Sequence, residues 1–167
     1  MIPHTNTKTI LLPPIVSTAA MTQCMSFDRS GFDYCTIDVI GGTNVTTTQV
    51  FDTIIVSESD TITSPTSMTA IVALSGSTAT NATYGFAIGT LSATSIGSVV
   101  TLQFGLKQRK KYIGLTLLCS AAGGTAVIGA IAKLSRAEQA PTTAAKKDGI
   151  NLYDTAVSGC LKLVTVE

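Results

Sequence analysis

The alternation of apolar and polar residues along the chain predicts β-strands. From Phe32 to Ile40 every second residue is apolar, which is the period of a strand with one buried face. Similar short patterns, bounded by Gly, Ser, Asn and Asp, recur at residues 21–27, 49–57, 67–74, 84–88, 99–106 and 161–166. No segment has the period of a long helix. We therefore expect an all-β, single-domain jelly roll or β-sandwich of roughly eight to ten short antiparallel strands.

The most apolar stretch, Tyr112 to Leu134, has two possible interpretations. Residues 112–132 carry no charge and are long enough to cross a bilayer as a helix, which takes about 20 residues. However, Gly123-Gly124 lies in the middle and marks a turn, and each half has the length and the β-formers of a strand. We therefore predict two buried strands, 112–119 and 126–134, joined as a hairpin, and no membrane partner.

The first 20 residues are predicted to form an extended N-terminal arm, with residues 21–167 as the β-sandwich domain. Pro3, Pro13 and Pro14 exclude a long helix and favour extended backbone in the residues before them. Apolar residues flank the Pro13-Pro14 pair, so the arm should be covered by its own domain or by another subunit. We expect a neighbouring subunit to order it.

Charge is unevenly distributed along a chain whose net charge is only +1. Residues 1–60 carry six acidic and two basic residues, a net charge of −4. Residues 61–106 carry none, and residues 107–167 carry nine basic and four acidic residues, a net charge of +5. Oppositely charged regions could pair head to tail between subunits, and an uncharged middle could be covered by them.

Residues for catalysis or metal binding are scarce. The only histidine is His4, and none of the four cysteines (Cys24, Cys35, Cys119 and Cys160) forms a C-x-x-C pair. The close carboxylate pairs, Asp28 with Asp33 and Glu58 with Asp60, lie at strand ends, where solvated acids are common. The sequence thus predicts no enzyme, and no catalytic, cofactor-binding or metal-binding residues.

A cationic cluster, formed by Lys107, Arg109, Lys110 and Lys111, could bind nucleic acid phosphates. Yet Trp is absent and aromatic residues make up 5% of the chain, so a stacking surface for bases is poorly supplied. Lysines also commonly protect the edges of sheets. We interpret the cluster as a strand edge or a subunit contact, with no nucleic acid partner.

Two segments, FDRSGFDYCTIDVIGGT (27–43) and RKKYIGLTLLCSAAGGTAVIGAIAKLSRAEQAP (109–141), carry a family resemblance. Together they resemble the small β-rich proteins of tailed bacteriophages and prophages that include jelly-roll capsid cement or decoration proteins. The shared motifs are packing and turn motifs, and they bring no catalytic residues or cofactors with them.

This resemblance implies a virion structural protein, made in the host cytoplasm, on the capsid exterior. Its partners would be the major capsid protein and further copies of itself, with a trimer ahead of a dimer. The alternative is a glycan- or receptor-binding β-sandwich module of a phage tail or baseplate, although the absence of Trp disfavours it. A secreted or pilus-type subunit would need a signal peptide, and Pro13-Pro14 interrupts the only candidate apolar run.

Overall fold

The structure is a computed structural model, and it describes residues 7–17, 21–42, 53–77, 85–88, 98–119, 126–135, 150–151 and 160–166. No α-helix occurs within these ranges, and two short 3₁₀ turns occur at Pro65–Ser67 and Val72–Leu74. The strands, in chain order, are β1 (Lys8–Ser17), β2 (Thr22–Asp28), β3 (Tyr34–Gly41), β4 (Thr53–Ser59), β5 (Thr69–Ala70), β6 (Gly76–Ser77), β7 (Phe86–Ala87), β8 (Ser98–Gly105), β9 (Tyr112–Leu118), β10 (Ala126–Ser135), β11 (Ile150–Asn151) and β12 (Cys160–Val166).

These strands form two sheets. Sheet A has the order β1-β10-β3-β8-β12-β11, and sheet B has the order β2-β9-β4-β6-β7, with β5 paired to β4. Neighbouring strands are antiparallel except for the parallel pairs β8–β12 and β6–β7. From β1 to β4, and again from β8 to β10, successive strands lie in opposite sheets. The expected all-β sandwich is confirmed.

The core lies between the sheets and is built from the inward half of each alternating strand. In β3, Cys35, Ile37 and Val39 are completely buried, as the alternation predicts. The long side chains that fill the interior without solvent exposure come from both sheets and the segments joining their strands: Ile37, Ile54, Leu74, Leu102, Phe104, Leu106, Ile113, Leu115, Leu117, Ile128 and Leu134.

The predicted hairpin of residues 112–134 is wrong in its pairing. Both strands exist, but β9 lies in sheet B between β2 and β4, whereas β10 lies in sheet A between β1 and β3. The apolar side chains of the two strands therefore meet across the core instead of along a shared ladder. An apolar run is equally consistent with either arrangement, because burial is satisfied in both.

The arm is extended, as expected, but Lys8–Ser17 belongs to its own domain. These residues form β1, the edge strand of sheet A, paired with β10. The expectation that a neighbouring subunit orders the arm is therefore wrong for this segment. Pro13 and Pro14 form an irregularity between Leu12 and Ile15, where the register with β10 shifts. This fits the confinement of proline to edge strands and bulges.

Close packing around the proline pair depends on Gly129 of β10. A Cβ at this position would lie 3.2 Å from the Leu12 carbonyl oxygen and from the Pro14 backbone nitrogen. The lack of a side chain lets the irregular part of β1 pack directly on β10.

The predicted strand 67–74 is instead β5 followed by the Val72–Leu74 turn. His4, residues 49–52 and Gly123-Gly124 lie outside the described residues, so the predictions made for them stay predictions.

Candidate functional site

The cationic cluster lies at one end of sheet B, just before β9, beside the ends of β2 and β4. Three of its members form ion pairs with acidic residues of the same chain. The Arg109 guanidinium is 3.8 Å from Glu58 Oε1, and Lys110 Nζ is 3.4 Å from Asp60 Oδ2. Lys111 Nζ is 3.8 Å from Asp28 Oδ2.

Main-chain contacts hold the cluster in place as well. The Arg29 guanidinium donates hydrogen bonds to the carbonyl oxygens of Arg109 and Lys110, the second at 3.1 Å. The Arg29 backbone N–H donates to the Lys111 carbonyl at 3.0 Å, and the Lys110 backbone N–H donates to Glu58 Oε2 at 3.1 Å. The ends of three neighbouring strands are thereby tied together.

These contacts correct one reading of the charge distribution. Glu58, Asp60 and Asp28 belong to the acidic first third of the sequence, and Arg109, Lys110 and Lys111 to its basic last third. Antiparallel pairing of β9 with β2 and β4 brings the two groups together within one molecule. Head-to-tail pairing between subunits is therefore not needed to explain these six charges. The cluster precedes β9, an inner strand of sheet B paired on both sides, so the interpretation of these lysines as protection for a sheet edge is wrong.

Asp28 is the acid in this group whose titration is perturbed. The pKa of Asp28 is held below its usual value, first by hydrogen bonds from Ser30, and further by the charges of Lys111 and Lys8. The Ser30 backbone N–H donates to Asp28 Oδ1 at 2.8 Å. Of the close carboxylates named from the sequence, Asp28, Glu58 and Asp60 are thus engaged by cations or backbone N–H groups of the same chain.

Over β4 and β9, the outer face of sheet B is covered by its own chain. Ser57 and Gly114 point to that face, yet both are buried, because the segment around Pro65 folds over them. The Ser57 hydroxyl donates to the Pro65 carbonyl at 3.1 Å. A Cβ on Gly114 would lie 2.8 Å from Met68 Sδ and 3.0 Å from Pro65 Cβ. Sheet B therefore offers little open face there to a partner.

In the part of the chain that the structure describes, no segment covers the outer face of sheet A, and the half of this face nearest the bulge of β1 is apolar. We call this surface the apolar half; it comprises Leu11 and Val16 of β1, Val127, Gly129 and Ile131 of β10, and Ile40 of β3. Leu11 is 59% exposed, Val16 58% and Ile40 40%. The strand register places Leu11 opposite Ile131, Val16 opposite Val127, and Gly129 opposite Ile40. A shallow groove of about 180 Å³ is lined by the members of the apolar half other than Val16, together with Leu12, Pro14, Gly42 and Ala130.

The other half of the same face is polar and internally paired. The Thr101 hydroxyl donates to Asp38 Oδ1 at 2.7 Å, and Lys133 Nζ is 3.6 Å from Asp38 Oδ2. The Tyr34 hydroxyl donates to Gln103 Oε1 at 3.1 Å, and its partial burial raises the pKa of Tyr34. Lys133 and Asp38 lie at the border of the apolar half, and because they pair with each other they give it no strong charge of either sign.

The apolar half is not predicted by the sequence pattern. The available signal was an apolar residue at an outward position of an alternating strand. Ile40 follows the inward Val39, and Ile131 lies between the inward Ala130 and Ala132. From sequence alone, such a residue cannot be distinguished from a scattered surface hydrophobe, which most proteins carry.

Three of the four cysteines have described side chains. Cys24 is exposed on β2, whereas Cys35 and Cys119 are buried, and burial raises the pKa of the Cys35 thiol. Within the described ranges, no three His, Cys, Asp or Glu side chains come together as a metal site. No helix in the described part of the chain reaches the length and apolarity that crossing a bilayer requires.

Comparison of the chain with protein-family models, with curated proteins and with solved structures found no match.

Proposed function

We propose that this protein is a virion structural protein of the capsid cement or decoration type, built on a jelly roll. The strand order supports this topology: β1-β10-β3-β8 in one sheet faces β2-β9-β4-β6 in the other. A jelly roll is a double sheet of this kind, in which the chain passes repeatedly from one sheet to the other. Viral capsid domains commonly use it, and that link between fold and function is an analogy.

The observation that carries the proposal is the apolar half of sheet A. Exposed apolar groups that lie together mark interaction surfaces more often than isolated ones do. Leu11, Val16 and Ile40 lie together on rigid, paired strands, so this surface needs little ordering when it binds. The proposed partner is the outer surface of the major capsid protein, where one small domain touching two capsomers would resist their separation.

The irregular part of β1 would shape the contact. Pro13 and Pro14 interrupt the ladder, and Pro14 lines the groove beside Gly129. This side of the groove is held in a fixed shape by the two prolines and by the close packing of the β1 backbone on Gly129. A fixed shape lowers the conformational entropy lost on binding.

The test is binding to phage heads that lack the protein. Heads and purified protein are mixed, sedimented and analysed for bound protein, and head survival under heat or low salt is followed. We expect wild type to bind and to protect. Leu11→Glu and Val16→Glu should each weaken binding at least tenfold, since each places a charge in an apolar contact.

A matched control is Ile62→Glu, because Ile62 is 74% exposed and lies outside sheet A. The proposal predicts that this variant binds as wild type does. Equal binding by the Leu11 and Ile62 variants would contradict the role of the apolar half. Failure of wild type to bind or protect heads would contradict the cement function itself.

A second candidate is the glycan-binding module, which the polar half of sheet A favours. The aromatic ring of Tyr34 lies on the same face as the hydrogen-bonding side chains of Gln103, Asp38 and Thr101. Sugar-binding sites use both kinds of group. Lectin domains also use jelly rolls. Binding to a glycan array that is lost in Tyr34→Ala and kept in Leu11→Glu would favour this function over the first.

A further inference from the structure

The free edge of β2 is a surface that none of the contacts above uses. The Cys119 backbone N–H donates to the Met21 carbonyl at 3.2 Å, and the Arg29 N–H donates to the Lys111 carbonyl at 3.0 Å. In an antiparallel ladder every second residue directs its N–H and C=O to the same neighbour. The backbone N–H and C=O groups of the odd-numbered residues from Met21 to Arg29 therefore point toward β9. The backbone groups of Thr22, Cys24 and Ser26 face away from it, and we call these three residues the β2 edge.

The β2 edge is open in the described part of the chain. There β2 pairs with β9 alone, and the side chains of Thr22, Cys24 and Ser26 are exposed. Their N–H and C=O groups thus form a row without a described strand beside it. Such a row is a template for another strand.

Natural edge strands are normally protected by lysine, proline or a bulge. β1, the edge strand of sheet A that precedes β2 in the chain, has all three: Lys8, the Pro13-Pro14 pair and a register shift. In contrast, β2 has an unbroken register with β9 and carries neither charge nor proline from Thr22 to Phe27. The difference between the two edges indicates that β2 is kept available for pairing.

We propose that β2 pairs with β2 of a second copy of this chain, antiparallel and about a two-fold axis. Only edge-facing groups can bond across the new ladder, so even-numbered residues must pair with even-numbered residues. The register with Cys24 opposite its own copy and Thr22 opposite Ser26 uses the whole uncharged run. It leaves Asp28 beyond the overlap, where it keeps its contact with Lys111.

A second copy fits this edge better than a different chain because the edge is complementary to itself. In a two-fold contact both subunits use the same surface, so a charged edge would meet an edge of the same charge and be repelled. Thr22, Cys24 and Ser26 are uncharged and small, and their side chains fit opposite one another. The pairing would join the two B sheets into one continuous sheet, and it requires no capsid protein.

The experiment measures the mass of the purified full chain under reducing conditions, so that no disulfide contributes. Sedimentation equilibrium over a range of concentrations should give a dimer for wild type. Cys24→Lys should give a monomer, because the two new cations would lie directly opposite each other. The side chain is exposed, so circular dichroism should show an unchanged fold. Thr9→Lys, on the exposed edge of β1, is the matched control and should stay dimeric.

A second variant, Cys24→Pro, removes an N–H that points away from β9 and should also give a monomer. Hydrogen exchange adds a direct readout: the amides of Thr22, Cys24 and Ser26 should be protected in wild type and should exchange rapidly in Cys24→Lys. A monomeric or trimeric wild type would overturn the proposal. So would an unchanged dimer in Cys24→Lys, or concentration-independent protection of the three amides, which would indicate a segment of the same chain on the edge. Binding to heads is assayed separately, so either proposal can fail while the other holds.

Discussion

Arg109 and Glu58 lie 3.8 Å apart at the end of sheet B, although 50 residues separate them in the sequence. Each side chain is about one-fifth exposed, so water and salt ions still reach the pair. The Glu58 carboxylate also accepts the Lys110 backbone N–H at 3.1 Å. The pair therefore links the end of β4 to the turn before β9, which contains the cationic cluster.

Neutralising this pair should cost little stability. Double-mutant cycles on exposed pairs give about 0.2–1 kcal/mol, and we expect the coupling between Arg109→Gln and Glu58→Gln to lie in this range. Urea unfolding of the wild type, both single variants and the double variant measures it. The coupling should shrink in high salt, because ions screen exposed charges. A coupling that is independent of salt would contradict this account.

Replacing Leu117 by Ala should destabilise the domain by about 2–5 kcal/mol through a cavity in the core. Leu117 is completely buried and pairs with Ile54 and Gln23 on neighbouring strands. The free energy of unfolding from a urea titration checks this. Leu11→Ala is the control, because Leu11 is largely exposed, and its effect should be much smaller.

A methyl group at position 129 should be costly. Its Cβ would lie 3.2 Å from backbone atoms of Leu12 and Pro14, which cannot move without disturbing β1. We expect Gly129→Ala to lower the free energy of unfolding by about 1–3 kcal/mol, the usual cost of overpacking. At Gly105, in strand β8 of the same sheet, a Cβ would meet no atom within 4 Å. Gly105→Ala should therefore be neutral or slightly stabilising, and equal losses in both variants would contradict the packing argument.

Acid should weaken the end of sheet B through Asp28. The folded-state pKa of Asp28 lies below its unfolded value, so folding favours the ionised carboxylate. This contribution is complete above the unfolded pKa, about 3.9, and is lost as the pH falls from there through the folded pKa. The stability of wild type and Asp28→Asn should converge in that range. NMR titration of the Asp28 carboxyl measures the pKa directly, and a value at or above the unfolded one would contradict the prediction.

Removing β1 should damage the domain itself. A chain that starts at Thr18 would leave the β10 edge unpaired and would lack the Leu12 side chain, which is buried in the core. We expect a lower melting temperature than that of the full chain, measured by circular dichroism. An unchanged melting temperature would contradict this prediction and would favour an arm that is ordered by other subunits.

Local sequence pattern determined which side chains of β3 are buried. Cys35, Ile37 and Val39 alternate with polar residues, and a strand directs alternate side chains to opposite faces whatever its neighbours are. The same reasoning located β9 and β10, because apolar β-formers on either side of a glycine pair are typical of buried strands. The all-β class follows from these repeated short patterns.

Only the tertiary structure decided which strands are neighbours. The apolar run of β10 can be buried beside β9 or opposite it, and the burial of apolar area is similar in both cases, so the pattern contains no information on the choice. For the same reason, the sequence separated the acidic and basic residues that the fold brings together at Glu58 and Arg109. Contacts between distant parts of the chain also decide that the described part of sheet A has an open outer face, that the Pro65 segment covers part of sheet B, and that β2 has a free edge. Local periodicity does not encode such contacts.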